Sequence, residues 1–524
     1  MYMIPHLRHF CLISATTLLL LAGCAGRPPA TMYPRQESHA FEDTSNTALA
    51  KAYGHAIQRH TGESGFRLLS DGPEALMMRI AMVNAAERSI DLQYFDTRED
   101  KTGKLVLEAI CRAADRGVRV RMLLDDWNLD DFEAGAVILN ANPHIEIRVF
   151  NPYSTRNQSI FSRIANAPSY FDQFTRRMHN KAIIVDNQIA IMGGRNLGDE
   201  YFEAGKEINL QDVDIFSVGP VVRSMSQSFD RYWNGNESFP MSALNLPAPV
   251  SNDIYKLQDE MAEHWDVLLQ SHVGRELKNM PLPHEVKKGE VPLIWAKAKL
   301  AADNPDKVNQ SIEDSVSAPG IQIDKLANNA RHEFIILTPY FVPMKGGVTW
   351  LNGLVKRGVA VRIVTNSLSS TDMVPAQAGY SHYREALVKG GVELYEIKSS
   401  PPKSAKKHMF KPSSQNGLHA KIYMIDRQDL VIGSFNFDPR SLHLNTEQAL
   451  VIHSPALCAQ ISRIFEGISS PQSSYRVMLT PKGTLVWVTE EDGKTVYYDF
   501  NPHAGFWRII TNDFFAILPI DDDL

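Results

Sequence analysis

The apolar positions of this chain fall into short, strand-length runs, and two of those runs are near copies of each other. KAIIVD followed by QIAIMGG occupies 181–194, and KIYMID followed by DLVIGS occupies 421–434. Each reads as a strand, a turn at Asp186-Asn187 or Asp426-Arg427, and a return strand. Upstream, Arg116 to Arg121 (RGVRVR) recurs as Arg357 to Arg362 (RGVAVR), a helix end marked by Gly and followed by a strand. Apolar strands at Ile90 to Phe95 and Phe334 to Phe341 precede these. Each half therefore reads as a β-α-β-α series ending in the copied hairpin, an α/β architecture with a mixed sheet. The boundaries this implies are 62–245 and 317–470 for the halves. A polar, Pro- and Lys-bearing connection with some helix lies between them, 246–316. A final segment, 471–524, holds a hairpin turning at Asp492-Gly493 and an aromatic helix, Phe506 to Phe515.

The N-terminus follows a different pattern. Arg8 precedes an apolar run from Phe10 to Ala22 that is too short to span a bilayer. The run ends in Leu21-Ala22-Gly23-Cys24, which resembles a bacterial lipoprotein signal. That resemblance implies a signal peptide over 1–23, lipid attachment at Cys24, and a tether and N-terminal segment over 24–61. Ala25 after the Cys implies a lipid-anchored location in the cell envelope, at the outer membrane facing the periplasm. Of the remaining cysteines, Cys11 leaves with the signal. Cys111 and Cys458 fall in expected helices of different halves, and read as unpaired thiols, although an oxidising compartment permits a pair. The apolar content of 44% over 524 residues is ample for a large core.

The copied hairpins carry the chemistry. They open with His179-x-Lys181-x4-Asp186 and His419-x-Lys421-x4-Asp426, 240 positions apart. Fifteen residues after each His stands a small residue, Gly194 or Ser434, and seventeen after stands Asn196 or Asn436. On a strand, residues two apart leave the same face, so each His travels with its Lys. Two such hairpins meeting across a pseudo-two-fold axis bring two imidazoles and two ammonium groups into one pocket. Such a pocket can hold an anionic phosphoryl group, attack it and protonate what leaves. His paired with Lys would repel a divalent cation, so neither metal nor cofactor is expected.

These motifs resemble the signature of the phospholipase D superfamily and, within it, the bacterial cardiolipin synthases. Gly193 to Tyr201 is similar to their GG-x-N-x-GDEY. Ala113 to Asp126, Leu337 to Pro343, Tyr383 to Glu396 and the terminal LPIDDDL also match. The resemblance implies two homologous α-β-α halves with mixed sheets, packed about a pseudo-two-fold axis with the active site at their interface. It further implies a phosphohistidine intermediate, with His179 as nucleophile and His419 as acid and base, an order the residues themselves leave open. Lys181, Lys421, Asn196 and Asn436 would hold the phosphoryl oxygens, and Asp186 and Asp426, at the turns, would orient the hairpins. A carboxylate should fix each imidazole's tautomer. Glu447 matches in the second half and Asp212 in the first, with Asp214 and Glu207 as alternatives. The expected reaction is phosphatidyl transfer to phosphatidylglycerol, making cardiolipin. Hydrolysis to phosphatidic acid is the alternative. A nuclease reading is disfavoured by the net charge of −6 and by the anchor. The expected partners are phospholipids and a membrane surface, with no nucleic acid. Two motifs in one chain make a dimer unnecessary.

Several weaker features admit two readings each. Arg176-Arg177, and Lys403, Lys406, Lys407 and Lys411, either grip anionic head groups at the pocket mouth or are solvated loop charge. The segment containing Tyr153, Phe161, Tyr170 and Phe174 either forms an acyl-chain groove or lid, or is a long loop over the core. The terminal aromatic helix either lies in a membrane interface or, as its spacing suits better, packs into the core.

Overall fold

The computed structural model describes residues 30–153, 174–244, 246, 279–400 and 415–518. The expected lipidation site at Cys24, the lysines at 403–411, Phe161, Tyr170 and most of the terminal LPIDDDL lie outside them. The first half runs α1 (Ala48–Arg59), β1 (Ser64–Leu69), α2 (Gly72–Ala85), β2 (Ser89–Tyr94), α3 (Lys101–Asp115), β3 (Arg119–Asp125), α4 (Glu133–Leu139) and β4 (Ile145–Phe150). The motif hairpin β5 (Ala182–Val185) and β6 (Ile189–Gly193) follows, then β7 (Ile208–Gln211), β8 (Asp214–Val218), α5 (Pro220–Asn234) and β9 (Ser238–Pro240). The connection supplies α6 (Leu282–Lys288) and β10 (Ile294–Ala302). The second half runs α7 (Ala318–Asn328), β11 (Glu333–Leu337), α8 (Met344–Lys356), β12 (Ala360–Asn366), α9 (Val374–Ser381), α10 (Arg384–Lys389), β13 (Glu393–Ile397) and β14 (Gln415–Leu418). Its hairpin is β15 (Ile422–Ile425) and β16 (Asp429–Gly433), followed by β17 (Gln448–His453) and α11 (Pro455–Ile468). β18 (Ser474–Leu479), β19 (Leu485–Glu491), β20 (Lys494–Tyr498) and α12 (Phe506–Ile517) end the described chain.

Pairing makes the duplication explicit. In the first half β3 and β2 are parallel, and β2, β5, β6 and β8 follow antiparallel. In the second, β12 and β11 are parallel, and β11, β15, β16 and β17 follow antiparallel. Both motif turns have two consecutive residues in the left-handed region, with φ of 52° and 53° at Asp186-Asn187 and 50° and 54° at Asp426-Arg427. This is the backbone that a two-residue hairpin loop needs to match strand twist. Each Asp also ties its turn to the sheet. Asp186 accepts from the backbone N–H groups of Glu87, Arg88 and Ser89, and Asp426 from those of Arg331, His332 and Glu333. The motif Asp is thus a clamp between the hairpin and the strand beside it.

The apolar runs of the hairpins are buried on both faces. Ile183, Val185, Ile189 and Ile191 join the helix-side core of the first half, and Tyr423, Ile425 and Val431 that of the second. The alternating positions Ala182, Ile184, Ala190 and Met192 share a third core with Ile422, Met424, Leu430 and Ile432. That shared core seats the two sheets against each other and fixes where the hairpin ends meet.

Three features depart from the sequence reading. First, the connection contributes a nine-residue strand as well as a helix. β10 pairs with β1 through Ile294 to Ala296 and with β17 through Lys297 to Ala302, and so joins both halves into an 18-stranded sheet among the described residues. Its sequence, IWAKAKLAA, is rich in Ala and Lys, which favour helix, and pairing along its length with a strand of each half overrides that preference. Second, His179 to Lys181 and His419 to Lys421 lie just before β5 and β15 instead of within them, because their backbone pairs with the opposite half. Third, α12 does not pack its aromatic side into the core. Asn512 is buried, whereas Phe506, Trp507, Ile510, Phe514 and Ile517 are exposed. Cys111 and Cys458 are free thiols, and no helix among the described residues is long and apolar enough to cross a membrane.

Asp186 is fully buried and Asp426 is partly open, while in each copy two of the three donor residues are exposed and the third, Ser89 or Glu333, is buried. Asp186→Ala leaves the buried Ser89 N–H unpaired beside a closed hole and should cost roughly 2–4 kcal/mol, and Asp426→Ala, at a site open to water, about half as much. Urea denaturation midpoints check this; equal losses would refute the clamp role at Asp186.

Candidate active site

The backbone ahead of each motif His crosses to the other half. Met178 bridges to Thr446, with His179 N–H donating to the Thr446 carbonyl (3.0 Å) and Thr446 N–H to the Arg177 carbonyl (2.9 Å). In the second copy, β14 runs parallel to β7, and His419 N–H donates to the Gln211 carbonyl (2.8 Å). Thr446 and Gln211 are the residues just before Glu447 and Asp212. Each carboxylate is therefore delivered to the imidazole of the opposite half. His179 Nδ1 lies 3.0 and 3.1 Å from the two Glu447 carboxylate oxygens, and His419 Nδ1 lies 2.7 Å from Asp212 Oδ2. Asp214, the alternative to Asp212, is instead ion-paired with Arg79 and Arg195, and Glu207 is exposed.

With Nδ1–H donated to a carboxylate, each imidazole keeps its Nε2 lone pair for chemistry. Burial, and then the positive charges of Lys181, Lys421 and Arg440, hold His179 well below its ordinary value. Burial, followed by Lys421, does the same to His419, which also senses Lys181 and His179. Both rings are neutral at pH 7. Burial also lowers the Lys181 ammonium, aided by the charge of Lys421, and brings Lys421 down to about 8 against the pull of Asp212. It raises Asp212, and it raises Glu447 to about 7 against the pull of Lys181. The four motif side chains act on one another across the seam. Together they form one desolvated, cation-rich cluster that an anion would neutralise.

The small residues seat the carboxylates. A Cβ at Gly194 would stand 2.5 Å from both Asp212 oxygens, so the first copy has no room for a side chain. At the equivalent position Ser434 donates its hydroxyl to Glu447 Oε2, and Ser441 donates to Oε1 (2.9 Å). Asn196 and Asn436 are buried beside the cluster, and each amide oxygen lacks a partner among the described residues. Asn196 Nδ2 lies 2.8 Å from the Tyr201 hydroxyl. That hydroxyl can equally donate to the amide oxygen, which turns the NH2 toward the pocket.

Several neighbours of the cluster were not among the expected site residues. Phe95 presents its edge to His179 at 5.0 Å between ring centroids, with Lys181 Nζ over its face, and Tyr201 does the same for His419 at 5.1 Å. Asp438 is buried beside Lys421 and Glu447, and burial raises its carboxyl to about 7. Arg440 opens a π-helical turn, Arg440–Leu444, whose Ser441 is the Glu447 donor. Such turns often mark functional positions. The GDEY match covered Tyr201 and the repeated strand covered Phe95 without marking either as a site residue; Asp438 and Arg440 lie in no repeated pattern. Arg177 is corrected from the head-group reading: it is buried and paired with Asp125 at 2.8 Å, as part of the scaffold that positions Met178. A cavity of about 410 Å³ at the seam is lined by Asp212 and Arg195 but by none of the four motif His and Lys residues.

Gly194→Ala should push Asp212 off His419, whereas Ser434→Ala leaves Glu447 on His179. Histidine-selective NMR reads the two Nδ1–H protons separately. The His419 signal should vanish in Gly194→Ala only, and its persistence there would contradict the seating role.

Comparison with known proteins gives a consistent picture. The family profile described as "Cardiolipin synthase, PLD-like domain" matches residues 80–233 and 323–469. The chain is 34% identical to cardiolipin synthase C of Escherichia coli (strain K12) over 485 residues, covering 90% of this chain and 99% of that one. It is 30% identical to an uncharacterized protein of Helicobacter pylori (strain ATCC 700392 / 26695), covering 95% and 96%. Among solved structures, phosphatidylserine synthase of Haemophilus influenzae Rd KW20 superposes with a TM-score of 0.53 at 14% identity, covering 90% of this chain and 99% of that one, a likeness of fold.

Proposed function

The chain belongs to the phospholipase D superfamily, in the family of cardiolipin synthase PLD-like domains, and on that premise we propose that it is a phosphatidyltransferase that makes cardiolipin from phosphatidylglycerol and a second phospholipid. The observation that carries this reading is the pair of neutral imidazoles, each fixed through Nδ1 by a carboxylate of the opposite half and flanked by buried Lys181 and Lys421. The anionic phosphodiester enters between the lysines, and Asn196 and Asn436 add donors to its non-bridging oxygens. Its negative charge offsets the cations that depress the imidazoles, so one ring can take up a proton.

His179 Nε2 attacks phosphorus, and the bond from phosphorus to the head-group oxygen breaks. His419 Nε2–H gives its proton to the departing alcohol, leaving a phosphatidyl-histidine. His419 then removes the proton from the incoming phosphatidylglycerol hydroxyl, whose oxygen displaces His179 Nε2 from phosphorus. The assignment of nucleophile to His179 follows the family resemblance. Glu447 and Asp212 keep each ring in one tautomer through both steps. Burial of both imidazoles supports transfer over hydrolysis, since bulk water has little access to the intermediate. The lipobox at Cys24 supports a lipid-anchored protein of the cell envelope, at the outer membrane facing the periplasm.

Mass spectrometry of lipids after incubation with phosphatidylglycerol, alone and with phosphatidylethanolamine, tests the reaction. Cardiolipin should form, and fall by ~10⁴-fold or more in His179→Ala and in His419→Ala. Phosphatidic acid without cardiolipin would make the protein a hydrolase instead.

The pH profile is a separate check. Lys421 is charged below about 8 and loses its proton above, so kcat/KM for the anionic lipid should fall as pH rises through that value. Lys421→Arg keeps its charge and should carry the remaining activity to higher pH. An unchanged alkaline limb in that variant would remove Lys421 from phosphate binding.

A further inference from the structure

The last described helix turns most of its large apolar side chains outward. Positions 506, 507, 510, 514 and 517 of α12 share one face by helical spacing. Their occupants, Phe506, Trp507, Ile510, Phe514 and Ile517, are 70%, 76%, 43%, 59% and 83% exposed. The side turned to the protein sets polar groups among the half-buried Ile509, Phe515 and Ala516. Asn512 is buried, and the Arg508 guanidinium donates through Nη1 to the carbonyls of Leu368 (3.0 Å), Ser369 (3.3 Å) and Thr371 (2.8 Å). A helix built to rest on a core in water places these groups the other way round. Tyr497 in the preceding hairpin and Phe500 in the loop after it are exposed as well. No described residue covers this face.

The helix is joined to the rim of the active site. It packs on α9, and the loop that Arg508 holds leads directly into Asp372. Asp372 Oδ2 accepts from the Tyr340 hydroxyl at 2.9 Å, and the Tyr340 ring stands edge-on to His419 at 6.3 Å. The Asp372 charge also acts on His419 and Lys421. The exposed aromatic face and the rim of the site are therefore joined through Arg508, Asp372 and Tyr340.

We propose that α12 docks the protein on a lipid bilayer, with Phe506, Trp507, Ile510, Phe514 and Ile517 inserted at the head-group boundary and the Tyr340–Asp372 rim set against the lipid surface. Rings at this depth gain apolar contact while the Trp507 N–H stays near water. Apart from the Trp507 N–H, the face offers hydrogen-bonding side chains only at its edges, Thr511 and Asp513. A protein partner needs an orienting polar rim, and a bilayer does not. The choice of bilayer over a second copy rests in addition on the phospholipid substrate proposed above.

Vesicles containing brominated phosphatidylglycerol test the docking directly, in the full-length protein. Bromine quenches only fluorophores that enter the lipid, and the share of emission due to Trp507 is what Trp507→Phe removes. That share should lose at least ~half its intensity on brominated vesicles and none on a soluble, monomeric short-chain lipid. This reading is independent of catalysis and of any N-terminal anchor, since a tether alone does not bring Trp507 into the bilayer. Phe506→Ser/Phe514→Ser, both at exposed positions, should lower turnover of vesicle lipid at least ~5-fold and leave turnover of the short-chain lipid unchanged. Emission from Trp507 that ignores brominated lipid would overturn the proposal. So would a blue shift that depends on protein concentration without lipid, which would assign the face to a second copy. Absence of turnover on both substrates, with quenching intact, would instead count against the reaction proposed above.

Discussion

Everything at the seam depends on an exchange of backbone. The strand-like lead into each histidine pairs with the residue that precedes the other half's carboxylate, Thr446 before Glu447 and Gln211 before Asp212. Main-chain bonds of this kind are strong, directional and buried, so they set the position of the imidazoles to within hydrogen-bond tolerance. The side-chain contacts from His179 to Glu447 and from His419 to Asp212 are consequences of that register. So is the emptiness at Gly194, which exists because a carboxylate from eighteen residues further on must lie there.

The price of the arrangement is visible in the charges. Two lysines, two imidazoles and a set of carboxylates are withdrawn from water, and each is pushed toward its neutral form. A free surface cluster of the same composition would hydrate and lose its ability to discriminate an anion. Here the desolvation is tolerable because the surrounding structure is fixed from both sides by large apolar cores and by β10 running between the halves. The shared core beneath the hairpins thereby serves electrostatics as much as stability.

Much of this was legible in the chain. The hairpins, their turns and the repeated halves follow from alternating apolar runs and from Asp186-Asn187 and Asp426-Arg427. The pairing of His with Lys, and the choice of Glu447 and Asp212 as candidates, came from motif spacing and resemblance. What was not legible is long-range. Nothing local in IWAKAKLAA announces a strand, since its preference is helical and only two waiting sheet edges reverse it. Nothing in Arg176-Arg177 tells which guanidinium is buried; Asp125, more than fifty positions away, decides that. The spacing of Phe506 to Phe515 looks like a core helix because periodicity reports that one face is apolar, not which way the face points. The reciprocal delivery of carboxylates is of the same kind: each residue was identifiable, and its recipient was a property of the assembled halves.

The exchange has a meaning for assembly as well as for chemistry. A half that has folded by itself holds an imidazole without its carboxylate and a carboxylate without its imidazole. Neither histidine meets its carboxylate until the two have docked in register, so the arrangement at the seam belongs to the assembled chain and to neither half alone.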